Sequence, residues 1–167
     1  MPRDVRILNT GTLLELSRRL RSVDSGRVRG SMLRRIRRAA EPLRTDLQSK
    51  IRGLDITSEG RTKPGGRSPT TRPLRSTIAG AIRISVRTST NPGAKVWIDK
   101  SRLPADLKRM PDVINDGRIR HPVFGNRRRW ATQWATPLWW DDTVRQHTPR
   151  MEREVARVLD DVRRYLT

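Results

Sequence analysis

Residues 81–99 read Ala81-Ile82-Arg83-Ile84-Ser85-Val86-Arg87-Thr88, then Ser89-Thr90-Asn91-Pro92-Gly93, then Ala94-Lys95-Val96-Trp97-Ile98-Asp99. Apolar and polar residues alternate through the first run, the pattern of a half-buried strand. Asn91-Pro92-Gly93 carries turn chemistry, and Ala94–Asp99 returns as the partner strand of a hairpin. Pro73 opens a short helical turn through Leu74 and Ile78 just before it. Residues 101–120 hold a further helical turn, Ala105–Met110, between Pro104 and Pro111. A third strand is expected over Trp130–Ala135, with Trp130, Thr132 and Trp134 on one face.

Helical periods flank this strand-rich centre. Leu13, Leu16 and Leu20 fall on one face of a short helix over residues 10–23, capped by Thr10 or Thr12. Met32, Ile36, Ala39, Leu43, Leu47 and Ile51 recur at steps of three and four and predict a longer helix from Arg27 to Arg52. Pro42 is expected to kink it, because proline removes a backbone donor and crowds the preceding turn. Gly53 is a natural stop. Thr136 and Pro137 read as the N-cap and first position of a last helix. Trp140, Val144, His147, Met151, Val155, Val158, Val162 and Tyr165 keep helical spacing to the end, with a break or bend expected at Thr148-Pro149. Residues 55–72 hold almost nothing that could be buried and read as a long mobile loop.

The expected class is therefore α+β. One domain spans 1–167: N-terminal helices over 10–53, a flexible basic loop over 54–73, and a small antiparallel sheet of about three to four strands within 74–136. A long C-terminal helix over 137–167 packs on the sheet. The 167-residue length suits one domain with a modest core.

The chain carries 37 Lys and Arg against 17 Asp and Glu, a net charge of +20, with 34% hydrophobic residues. Such a balance points to nucleic acid, an anionic surface or acidic protein partners. It is unevenly spread: residues 1–53 hold fourteen basic against five acidic side chains, whereas 141–167 hold six of each. The absence of cysteine excludes disulfides and thiolate metal sites. The first residues lack the apolar run of a signal peptide, and no stretch reaches the roughly 18 apolar residues of a membrane helix. A soluble protein made in the cytoplasm, without a membrane partner, is expected.

Catalytic chemistry finds no constellation here. His121 and His147 lack histidine or cysteine partners at ligand spacing, and no metal or other cofactor is expected. Asp141-Asp142 sits in the opening of a helix, where negative charge suits the dipole. Asp160-Asp161 lies among Arg157, Arg163 and Arg164 at distances that suit helix-surface ion pairs. The run Gly60-Arg61-Thr62-Lys63-Pro64-Gly65-Gly66-Arg67 lacks the Gly-Lys-Ser/Thr ending of a phosphate loop. The chain is not expected to be an enzyme. Trp130, Trp134, Trp139 and Trp140 crowd one segment beside Phe124. At least two of these tryptophans are expected in the core. The group as a whole is assigned to the core or to a subunit interface, where Trp and Arg are enriched. Stacking on bases beside Arg127-Arg128-Arg129 is the lesser reading.

His121-Pro122-Val123-Phe124-Gly125-Asn126-Arg127, then Trp130, Thr132-Gln133 and an aromatic pair opening the last helix, resemble the tail-completion or head–tail joining family of long-tailed bacteriophages. The order of elements agrees: an arginine-rich helix with Ala39-Ala40-Glu41-Pro42-Leu43, a loop, Leu74-Arg75-Ser76-Thr77-Ile78 running into a strand, and Ser101-Arg102-Leu103-Pro104 before the His-Pro-Val-Phe-Gly segment, as in members from phages of high-GC actinobacteria. The likeness spans roughly 13–165 and is most specific over 121–134. Arg128-Arg129 depart from the acidic or apolar residue the pattern has before the tryptophan.

The resemblance implies a small α+β protein that forms a six-fold ring in the virion neck or head-proximal tail, without catalytic residues. Its partners would be copies of itself and adjacent neck, head-closure, tail-terminator or tail-tube proteins, with packaged double-stranded DNA touched non-specifically. Synthesis would be in the host bacterial cytoplasm. On this reading Arg34, Arg35, Arg37, Arg38, Arg61, Lys63 and Arg67 are the contacts to the DNA channel or to acidic partners. The alternative is a free basic protein that binds DNA or RNA.

Overall fold

The computed structural model describes residues 4–7, 15, 18, 26–58, 73–87, 93–123 and 125–166. The expected helix over 10–23 lies outside them, apart from Glu15 and Arg18, both helical. The turn residues Asn91 and Pro92 and most of the expected loop, 59–72, also lie outside.

The chain is α+β. In order it forms β1 (Asp4–Ile7), α1 (Gly26–Gly53), β2 (Ile56–Ser58), α2 (Leu74–Ala81), β3 (Ile82–Arg87) and β4 (Gly93–Ile98). Two short 3-10 turns, Lys100–Arg102 and Ala105–Leu107, lead to α3 (Met110–Asn115), β5 (Arg118–Val123), β6 (Asn126–Ala135) and α4 (Trp139–Leu166).

Alternation gives the expected hairpin of β3 and β4, with Ile82 opposite Ile98 and Ile84 opposite Val96. These side chains are buried, whereas Arg83 and Arg87 on the other face are exposed. Instead of one sheet of three to four strands, two three-stranded antiparallel sheets form, in the orders β1-β4-β3 and β2-β6-β5. Each sheet is a hairpin, β3–β4 or β5–β6, extended by one short strand without a sequence pattern of its own. Asp4–Ile7 adds to the outer edge of β4, and Ile56–Ser58, expected as loop, pairs with Ala135–Gln133 of β6.

Helix α1 is the centre of the core. Met32, Ile36, Ala40, Leu43, Leu47 and Ile51 are all fully buried, and Ala39 packs at their margin. Burial of each large aliphatic side chain stabilises by roughly 1.5–3 kcal/mol. The stripe meets β3, β4 and α2 on one side and α4 on the other. Helix α4 contributes Met151, Val155, Val158, Leu159 and Val162, and it reaches the first sheet at β1.

Neither internal proline interrupts its helix. Helix α1 runs through Pro42, and α4 runs unbroken through Pro149, where a fresh start was the alternative to a bend. Proline at 149 removes one donor, the one that would meet the Arg145 carbonyl. The buried residues on both sides of it, Trp140 and Met151, hold the two halves to the same core. The start of α4 also differs from expectation. The first helical residue is Trp139, and the Leu138 carbonyl, not that of Thr136, accepts the first bond from Asp142 at 2.9 Å.

A candidate interface on the second sheet

The second sheet is pinned to the core at one corner. Helix α3 ends at Asn115, and Gly117 turns the chain into β5 with φ +84°. A Cβ at that position would lie 3.0 Å from Pro137 Cβ and 3.2 Å from the Ala135 carbonyl oxygen, so glycine alone fits. The Ala135 N–H donates to the Gly117 carbonyl at 2.9 Å, which joins the end of β6 to the start of β5. Asn115, 1% exposed, accepts from the Trp140 N–H at 3.0 Å through Oδ1 and donates from Nδ2 to Asp141 Oδ2 at 2.7 Å. Its own carbonyl accepts from the Leu138 N–H at 2.8 Å. One buried residue therefore ties the end of α3 to the start of α4.

At the other end β5 turns back into β6 with Val123 opposite Asn126 and Gly125 at φ +76°. Asn126 Oδ1 accepts from the Arg128 N–H at 2.9 Å. Phe124 lies outside the described residues. The register places Arg118 opposite Trp134, Arg120 opposite Thr132 and Pro122 opposite Trp130. Because side chains alternate across a sheet, Arg118, Arg120, Trp130, Thr132 and Trp134 share one face. Ile119 and Ala135, on the opposite face, are buried.

Trp130 and Trp134 are 49% and 48% exposed. A guanidinium lies over each ring: Arg118 over Trp134 at 5.5 Å from the centroid, and Arg120 over Trp130 at 5.1 Å. The first pair is directly cross-strand and the second diagonal, both within reach of long side chains. Each such contact contributes about 0.5–1 kcal/mol at an exposed site. The Trp130 indole donates to the Arg127 carbonyl at 2.9 Å, which fixes its ring. Between Arg118 and Ala135 there are five arginines and no carboxylate. This face thus combines ordered cations with two half-exposed aromatic surfaces, which suits recognition of an anionic partner.

The expected site residues separate into distinct groups. Trp139 and Trp140, 4% and 3% exposed, meet edge to face at 5.7 Å between centroids and belong to the core. Trp130 and Trp134 belong to the surface. Arg34, Arg37 and Arg38 are exposed along α1, whereas Arg35 is half-buried and donates to Asp161 of α4. That bond holds the Asp161 carboxyl below its ordinary 3.8; partial burial opposes it, and the charges of Arg35 and Arg164 assist. Arg35 is therefore committed within the chain. Arg61, Lys63 and Arg67 lie outside the described residues. Arg118 and Arg120 were absent from the expected site. Their signal was the Arg-Ile-Arg alternation ahead of a tight turn, which sets them across from the tryptophans.

The outer face of the first sheet repeats the chemistry more weakly, with Arg83 opposite Trp97 and Lys95 Nζ 5.6 Å from the Trp97 centroid. Trp97 is only partly exposed. Among the described residues no group of three or more His, Cys, Asp or Glu is gathered at metal-binding distance, and no helix is long and apolar enough to cross a membrane. No family model, curated protein or solved structure matches the chain.

Proposed function

We propose that the chain is a non-catalytic structural protein of the head–tail junction of a long-tailed bacteriophage. It forms a ring, on the family pattern a hexamer, in the neck or head-proximal tail around the DNA channel. The observation that carries this reading is the exposed arginine–tryptophan face of β5 and β6. The segment in which the family resemblance is most specific, 121–134, supplies the two tryptophans of that face. Arginine and tryptophan are the side chains that most often anchor protein–protein contacts. The exposed arginines of α1 form a second basic surface, and six copies would bring about 120 positive charges around a channel. That field suits packaged DNA or acidic neighbours.

The test is mass spectrometry of purified virions of the phage that encodes the chain. The protein is expected in intact particles at a few copies per tail, and its absence from them refutes the reading. A second reading, a free nucleic-acid-binding protein, draws on the same face, because aromatic rings beside arginines can stack on bases. It requires tight binding by the isolated chain, with an affinity that falls steeply with salt as several phosphate contacts release counterions.

A further inference from the structure

The register of β5 sets the direction of its backbone groups. The Ala135 N–H bonds the Gly117 carbonyl, so 117 and 135 form a hydrogen-bonded pair. In an antiparallel ladder such pairs alternate with non-bonded ones. The pairs 119–133 and 121–131 are then bonded inward, whereas Arg118, Arg120 and Pro122 turn their backbone groups away from β6. Pro122, which has no N–H, occupies one of these outward positions, as proline does on edge strands. Among the described residues β5 pairs with β6 alone. On this register the N–H and C=O of Arg118 and of Arg120 face the outer side of β5.

Two of these residues, Arg118 and Arg120, also carry the guanidinium groups that lie over Trp134 and Trp130. A guanidinium held over a ring still presents N–H donors in its own plane, where a carboxylate binds through two bonds. Arg118 and Arg120 stand two residues apart, about 6.8 Å along the strand. An added strand with acidic residues at alternate positions presents carboxylates at the same interval on the same face.

We propose that β5 is a docking edge for an extended acidic segment of another protein, which adds beside it as a strand and sets alternate carboxylates against Arg118 and Arg120. The inference deepens the reading above by giving a partner's chemistry, but it stands on β5 itself. A second copy is a poor occupant. The only carboxylates two residues apart in the sequence are Glu152 and Glu154, and both lie in α4. Single-stranded DNA fits less well, because its backbone offers acceptors alone. It would leave the outward carbonyls of Arg118 and Arg120 unmatched against phosphate, whereas a peptide strand satisfies donors and acceptors together.

The test uses the full-length protein and three fluorescent probes: a short peptide alternating Glu and Val, a peptide of the same composition with its glutamates in one block, and an oligothymidine. The alternating peptide is expected to bind about tenfold tighter than the block peptide, with that margin lost in the Arg118→Ala/Arg120→Ala double variant. Amide exchange at Arg118 and Arg120 is expected to slow on binding. Equal binding of the two peptides, or tighter binding of the oligonucleotide without protection of these amides, overturns the proposal. Should the double variant misfold, Arg118→Lys with Arg120→Lys retains the charge and removes the planar fork. It is expected to lose the same margin, and full retention of the margin overturns the proposal. Either result is independent of whether the chain is found in particles.

Discussion

Asn115 lies where α3 ends, and its buried amide serves the backbone of Trp140 and the carboxylate of Asp141 at once. Truncation to alanine deprives the Trp140 N–H of its acceptor in a site that water does not reach. A buried group left unpaired costs about 1–3 kcal/mol, and a bond to a carboxylate contributes somewhat more than a neutral one. Asn115→Ala is therefore expected to destabilise by about 3 kcal/mol. Urea denaturation would show this as a lower midpoint at unchanged slope. Two residues before Trp140, Leu138 sits at φ 58°, where its Cβ crowds the following carbonyl, and its side chain is 46% exposed. Little burial is lost on replacing it, and asparagine tolerates this backbone region. Leu138→Asn is expected to stabilise by roughly 0.5–1 kcal/mol, a gain in the same denaturation experiment. A loss would mean that the Leu138 side chain contributes more than the strain it carries.

The two long helices are joined by their buried stripes and, among the described residues, by two long-range side-chain contacts, Arg35 to Asp161 and His147 Nε2 to Asp46 Oδ2 at 3.0 Å. The folded Asp161 carboxyl titrates below its ordinary 3.8, so its contribution is present above that value and is lost as pH falls through the folded one. Melts of the wild type and of Asp161→Asn are expected to differ above about pH 4 and to converge in more acid solution. Arg35→Ala should follow the same profile, and a pH-independent difference would rule the pair out as its cause. Within α4, Pro149 is exposed and interior, so Pro149→Ala restores the bond to the Arg145 carbonyl without removing packing. A gain of about 2 kcal/mol, read as a raised melting temperature, is expected. A fall would show that α4 needs a bend there. These helices were legible in the sequence because a buried stripe repeats for about five to six turns in each, and the β3–β4 hairpin because it alternates around a turn signal. The third strand of each sheet was not. Strands β1 and β2 have four and three residues, too few to show a period, and their partners β4 and β6 lie far along the chain. Strand β6 also misleads locally: its more apolar face, Trp130 and Trp134, turns outward, while Ala131, Gln133 and Ala135 turn toward the partly or fully buried side. Alternation marks two faces but does not say which one the core covers.

At the scale of the whole molecule, the net charge of +20 divides into surfaces with different commitments. The last helix is neutral, and its acidic residues are drawn into pairs such as Arg145 with Asp142 and Arg157 with Glu154. The arginines of α1 and of the β5–β6 hairpin remain largely turned to solvent. Stability and contact to partners should therefore separate cleanly along the tryptophans. Trp140→Ala removes a fully packed aromatic beside Trp139 and is expected to cost about 3–5 kcal/mol. Trp130→Ser with Trp134→Ser removes two half-exposed rings and two cation–π contacts, for about 1–2 kcal/mol in total. If the β5–β6 face is the contact surface, this pair of substitutions abolishes incorporation into particles in a complementation assay while the purified variant still melts cooperatively. Arg34→Ala with Arg37→Ala tests the other basic surface in the same assay, and DNA-channel duty for α1 predicts particles that assemble but lose DNA retention or delivery. Normal incorporation of the tryptophan variant would remove β5–β6 from the assembly interface, and the charge of that face would then need another anionic partner.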